Sequence, residues 1–112
     1  MSAITTHILD LSTGRPAAGV RIVLEILEGS WQALGHGETD ADGRLKSLLP
    51  PGTTLKNCVY RLTFATGSYL EKTAGHAFYP EVQISFQARS SEGHYHIPLL
   101  LSPFGYSTYR GS

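Results

Sequence analysis

Two histidines, His94 and His96, stand two residues apart. If they lie on a strand, both imidazoles project from one face, which is how a strand offers a pair of ring nitrogens to a metal ion or to one substrate. Histidine is also the side chain that moves protons near neutral pH. The commoner meaning of such spacing is a polar face turned to water. His7, directly after Thr5 and Thr6, is a further imidazole whose value depends on what it faces. Arg44 follows an Asp-Gly pair and is either a surface charge or a planar donor fork aimed at a carbonyl or oxyanion. His36, between two glycines, and His76 read as exposed loop or strand-edge residues without a role.

Other chemistries find no foothold. The chain has no Gly-rich phosphate loop, no His-Glu-x-x-His helix and no Gly-x-Ser-x-Gly elbow. Asp40-Ala41-Asp42-Gly43 has the look of a calcium loop, but with Gly43 at the sharp turn the bidentate Glu position falls on Leu49, so the segment reads as an Asp-Gly turn. Cys58 is the single cysteine, which excludes an intrachain disulfide and a cysteine-based zinc site. Nine Lys and Arg balance nine Asp and Glu, so nucleic acid and anionic membranes are not expected partners. The opening residues lack the basic and apolar regions of a secretory signal, no stretch approaches a membrane span, and Tyr109-Arg110-Gly111-Ser112 lacks the usual peroxisomal address; a cytoplasmic location is the expectation.

The elements that must position these residues are nearly all strands. With 41% hydrophobic and 16% charged residues among 112, the chain can bury a core and lies far from the composition of disorder, and residues 1–112 read as one domain. Val20, Ile22, Leu24 and Ile26 alternate against Arg21 and Glu25; Cys58, Tyr60, Leu62 and Phe64 alternate against Val59, Arg61 and Thr63. Val82, Ile84 and Phe86 do the same against Gln83 and Ser85. Weaker strands are expected over 3–9, 31–39, 45–48, 94–101 and 106–109, eight in all, separated by breakers such as Gly14-Arg15-Pro16 and Pro50-Pro51-Gly52. Short strands spaced by turns predict an all-β sandwich. Only 68–74 reads as a helix, with Ser68 as its N-cap and Gly75 as its stop.

The last nineteen residues, from His94-Tyr95-His96-Ile97-Pro98 through Leu101-Ser102-Pro103 to Tyr109-Arg110-Gly111-Ser112, resemble the C-terminus of the 5-hydroxyisourate hydrolases, transthyretin-related enzymes of urate catabolism. Thr5-Thr6-His7-Ile8-Leu9-Asp10 with Gly14-Arg15-Pro16-Ala17 is similar to that family's opening, and Thr39-Asp40-Ala41-Asp42-Gly43-Arg44 to its middle motif. The first half alone also resembles carboxypeptidase-regulatory-type sandwich modules, and the C-terminal run decides against them.

The resemblance implies a transthyretin-like sandwich of two four-stranded sheets with one short helix. It carries the catalytic histidines to His7 and His96, the catalytic arginine to Arg44, and the substrate-binding residues to His7, Arg44, Tyr109, Arg110, Gly111 and Ser112. It implies no metal and no cofactor. The substrate would be a small purine-derived molecule, 5-hydroxyisourate, opened to 2-oxo-4-hydroxy-4-carboxy-5-ureidoimidazoline. The assembly would be a homotetramer, a dimer of dimers with sites at the dimer-dimer interface. Two alternatives stand beside this: a transthyretin-like small-molecule carrier without catalysis, and a zinc site using His7, His94 and His96.

Overall fold

Among residues 2–112, which the computed structural model describes, the chain forms nine strands and one helix. In chain order they are β1 (Ile4–Asp10), β2 (Arg15–Pro16), β3 (Arg21–Glu28), β4 (Ser30–Glu38), β5 (Arg44–Leu45), β6 (Val59–Phe64), α1 (Thr66–Ala74), β7 (Val82–Gln87), β8 (Tyr95–Ser102) and β9 (Gly105–Thr108). One sheet has the order β4-β3-β6-β7 and is antiparallel throughout. In the other, β1 pairs parallel with β8, and β8 pairs antiparallel with β9. The free edge of β1 is shared by two short strands, β2 against Leu9 and Asp10 and β5 against Thr6 and His7. They occupy one position between them, so each sheet is four positions wide.

The alternation decides which face is buried. Ile22, Leu24 and Ile26 of β3 and Tyr60, Leu62 and Phe64 of β6 join Ile4 and Ile8 of β1 and Ile97 and Leu99 of β8 in one core. Each such side chain contributes about 1.5–3 kcal/mol through the apolar area it removes from water. Thr6 shares the inward face of β1, and its hydroxyl is satisfied by donating to the Ile97 carbonyl at 2.6 Å. Among the described residues no helix is long and apolar enough to cross a membrane.

Three local expectations need correction. Arg15-Pro16 is a strand and not only a breaker, because Gly14 N–H bonds back to the Asp10 carbonyl at 2.8 Å and returns the chain along β1, where a proline is tolerated at an edge. The strand expected over 45–48 is two residues, Arg44–Leu45. The helix starts at Thr66, two residues before the expected Ser68 cap; its N-cap is Ala65, and Ser68 Oγ donates to the Ala65 carbonyl instead. Backbone carbonyls from elsewhere replace a capping side chain there, with Gly67 N–H on Pro80 O at 2.9 Å. The stop at Gly75 is as expected, in a left-handed conformation.

The helix is tied to the second sheet through a buried acid. Asp10, the last residue of β1, is 1% exposed and accepts from Ser12 N–H (2.9 Å), Ser12 Oγ (2.6 Å) and Tyr69 Oη (2.7 Å). Burial alone would push its carboxyl up, but the hydrogen bonds from Ser12 and Tyr69 outweigh it and hold Asp10 below the ordinary carboxylate value. Burial, together with the same carboxylate, pushes the Tyr69 phenol up to about 12. A depressed folded-state value means that Asp10 stabilises the fold fully above the ordinary carboxylate range and loses this contribution as pH falls through its folded value. Tyr69→Phe should therefore lower unfolding free energy by about 1.5–3 kcal/mol at neutral pH, with the difference from wild type shrinking in acid, as read by urea denaturation at both pH values.

Candidate active site

Parallel pairing sets Thr5 opposite His96 and His7 opposite Pro98, while β5 sets Arg44 opposite His7. Residues paired across strands share a face, so Thr5, His7, Arg44 and His96 all stand on the outer side of this sheet. Arg44 arrives there through the Asp-Gly turn, in which Asp40 Oδ1 accepts from Asp42 N–H at 2.9 Å and Arg44 N–H at 3.0 Å. Gly43 has φ +72°, and a Cβ at this position would lie 2.5 Å from the Ile8 carbonyl. Only glycine lets the turn press so close to β1.

The imidazoles meet on Thr5. Its Oγ1 lies 2.8 Å from His96 Nδ1 and 3.2 Å from His94 Nε2. His94 precedes β8 and is not part of the strand, yet it reaches the side that His96 reaches. The contact leaves His96 Nε2 without a hydrogen-bond partner among the described residues. Burial, and after it the Arg44 guanidinium, with smaller effects of His7 and His94, pull the His96 imidazole below its ordinary value, so the ring is neutral at physiological pH.

The chain terminus closes one side. Gly111 N–H donates to the His96 carbonyl at 2.8 Å in an isolated antiparallel bridge. A Cβ on Gly111 would lie 2.7 Å from His96 Cδ2 and 3.1 Å from Pro98 Cγ, so the absence of a side chain lets the backbone run close beside the ring. Ser112 then walls a cavity of about 140 Å³ together with Thr5, Arg44, Lys46, His94 and His96. His7 lies beside this cavity, one pair further along β1, and not in its wall. Tyr109 and Arg110 turn elsewhere: Tyr109 is 56% exposed, and Arg110 bonds Glu92 at 3.0 Å with its guanidinium 4.4 Å over the Tyr95 ring. Both line a separate groove of about 470 Å³ with Phe86 and Tyr95. That groove is larger but holds no imidazole, whereas the smaller cavity is lined by His94 and His96.

Two residues of the site escaped the sequence reading. Thr5 and Lys46 lie two residues from His7 and Arg44 respectively, and a period of two would have placed each beside its neighbour. Among the described residues no three His, Cys, Asp or Glu side chains converge as a metal-binding set, so His7, His94 and His96 do not form the zinc site that spacing left open.

The HIUase/Transthyretin family model matches residues 4–111. The chain belongs to the HIUase/Transthyretin family. Within it, the chain is 46% identical over 110 residues to the 5-hydroxyisourate hydrolase of Salmonella typhimurium, covering 97% of this chain and 80% of that protein. The structure of Klebsiella pneumoniae 5-hydroxyisourate hydrolase superposes with a TM-score of 0.84 at 39% identity, covering all of both chains. Sea bream transthyretin in complex with thyroxine superposes with a TM-score of 0.89 at 32% identity, covering 98% of this chain and 95% of that one. A hydrolase and a thyroxine complex thus both superpose on this backbone.

The close approach of Gly111 to His96 gives a direct test. Gly111→Ala should push the tail away from the ring and lower turnover at least tenfold, while the β-sheet circular dichroism stays as in wild type, because the contact lies outside the hydrophobic core. Removing 109–112 should abolish turnover with the β-sheet circular dichroism unchanged. Near-wild-type turnover in both variants would take the terminus out of the site.

Proposed function

We propose that this chain hydrolyses 5-hydroxyisourate in urate degradation, with His96, His7 and Arg44 as the catalytic residues. The assignment of activity is supported by relatives bearing that name at 46% identity over nearly the full length of the chain. The assignment of residues is carried by one observation: a neutral His96, held at Nδ1 by Thr5 with Nε2 unengaged, faces a cavity that Arg44 and Lys46 also line. A carrier of the transthyretin type needs no proton acceptor between two cations.

His96 Nε2 takes a proton from water oriented with His7, and the hydroxide adds to the ring carbonyl carbon. Arg44 faces the oxygen on which negative charge develops, where its planar fork supplies directed donors. Collapse of the tetrahedral intermediate breaks the ring C–N bond, and the departing nitrogen recovers the proton from His96. The net change is addition of one water and opening of the six-membered ring, giving 2-oxo-4-hydroxy-4-carboxy-5-ureidoimidazoline. No metal or cofactor enters this sequence of steps.

A cavity of about 140 Å³ is small against the roughly 300–1,000 Å³ of ordinary ligand pockets, and it sits on the outside of a sheet. A second copy laid over this face supplies the missing wall, which favours a homotetramer, a dimer of dimers with sites at the dimer-dimer interface. Tyr109 and Arg110, which point away from His96 in their own chain, join the substrate-binding residues His7, Arg44, Gly111 and Ser112 only in such an assembly.

The protein should accelerate the loss of freshly generated 5-hydroxyisourate in a urate-oxidase-coupled absorbance assay. His96→Asn and His7→Asn should each lower kcat by roughly 10²- to 10⁴-fold, the range for a lost acid-base group. Because burial and Arg44 favour the neutral imidazole, the acid limb of kcat/KM should lie below the ordinary histidine value of about 6.5. A limb at or above that value would remove His96 as the base. Arg44→Lys keeps the charge and loses the fork; it should remain impaired by at least tenfold, and recovery to wild-type turnover would reduce Arg44 to a diffuse field.

A further inference from the structure

Thr5 lies on the outer face of β1 and is nevertheless only 3% exposed, with His94 and His96 closed over its hydroxyl. A hydroxyl carries one hydrogen, and here two ring nitrogens compete for it. In one arrangement Thr5 donates to His94 Nε2 and accepts from His96 Nδ1–H, so the His96 Nε2 lone pair is bare. In the reverse arrangement Thr5 donates to His96 Nδ1 and accepts from His94 Nε2–H; neutral His96 then carries its hydrogen on Nε2 and cannot accept a proton there. A third arrangement, with both rings donating to Thr5, leaves a buried O–H with no acceptor among the described residues and costs about 1–3 kcal/mol.

We infer that His94 is a positioning residue which, by accepting the Thr5 hydroxyl hydrogen, holds His96 in the tautomer whose Nε2 takes the proton of the attacking water. The inference rests on the proposed role of His96 as base. The chain His96 Nδ1–H to Thr5 Oγ1–H to His94 Nε2 needs no rearrangement during the reaction: when Nε2 is protonated, Nδ1–H continues to donate to Thr5, and Thr5 continues to donate to His94. Thr5 thereby fills the orienting place that a carboxylate fills beside the histidine of a serine hydrolase. A carboxylate would also raise the proton affinity of the ring, whereas a hydroxyl fixes the tautomer and leaves the imidazole neutral beside Arg44 and Lys46.

The test is ¹⁵N NMR of the histidine rings in the resting protein, at a pH where both rings are neutral, combined with turnover. In wild type His96 should carry its hydrogen on Nδ1. Thr5→Val, which keeps shape and loses the hydroxyl, and His94→Leu, which removes the acceptor, should both shift the His96 hydrogen toward Nε2. Each should also lower kcat on the order of ten- to a hundredfold, the usual cost of removing the partner that orients a histidine. Thr5→Ser should restore both the tautomer and the rate. A wild-type His96 protonated on Nε2, or a tautomer unmoved in both variants, overturns the inference. Loss of activity in His96→Asn with wild-type rates in Thr5→Val and His94→Leu would remove the relay and leave the base in place; wild-type rates in His96→Asn would remove the base itself.

Discussion

The parallel pairing of β1 with β8 is the constraint on which the rest depends. It runs without interruption from Ile4 opposite Tyr95 to Asp10 opposite Leu101. Side chains alternate with a period of two, so a slip of either strand by one residue would turn Ile97 and Leu99 to solvent and His96 into the core. The demand that Ile4, Ile8, Ile97 and Leu99 be buried therefore also decides that Thr5, His7 and His96 stand together outside. Hydrophobic burial aligns the candidate site face without His7, His96 or Arg44 belonging to the core. Arg44 is placed by the same strand, since β5 pairs with the edge of β1 that β8 leaves free.

A sheet face is flat, and flatness is a poor start for a hydrolytic site. The protein relieves it partly with its last residues, which run back along β8 and set Gly111 close beside His96. Along this tail Ser112 walls the imidazole cavity, whereas Arg110 reaches Glu92 and the Tyr95 ring. Arg110 thus pins the tail by a half-exposed ion pair and a cation-π contact, which are modest individually but fix where Gly111 must lie.

The elements legible in the sequence were those whose pattern is enforced by burial on one face. β3, β6 and β7 show apolar residues at every second position because the core requires them, and the structure buries Ile22, Leu24, Leu62, Phe64 and Val82 as that pattern demands. β2 was hidden because two residues carry no period, and the start of α1 because its cap is a set of backbone carbonyls that no side chain announces. At the site, the spacing of His94 and His96 suggested a shared side if both lay on a strand; His94 lies just before β8, yet both rings meet at Thr5. The neighbourhood of His7 and Arg44 did not, because it is a register between strands far apart in the chain; only resemblance to known hydrolases linked them. Thr5 was passed over because an isolated threonine on a strand has no chemical signature until its partners are seen.

The same backbone carries a thyroxine complex in one relative and hydrolysis in another, and this division has a physical basis. Core positions such as Ile22, Leu62 and Leu99 are fully buried, and their replacement costs stability before it alters chemistry. His7, Arg44 and His96 are half-buried on the outer face and are not members of the hydrophobic core, so their replacement leaves the core of the sandwich in place. Thr5 and Gly111 are different, since each is held at close quarters: one in hydrogen-bond contact with two imidazoles, the other packed beside one. On the proposed reading, proton transfer at His96 therefore depends on residues that transfer no proton themselves: Thr5 with His94, which together decide which nitrogen of His96 is bare, and Gly111, whose lack of a side chain sets how closely the tail can approach the ring.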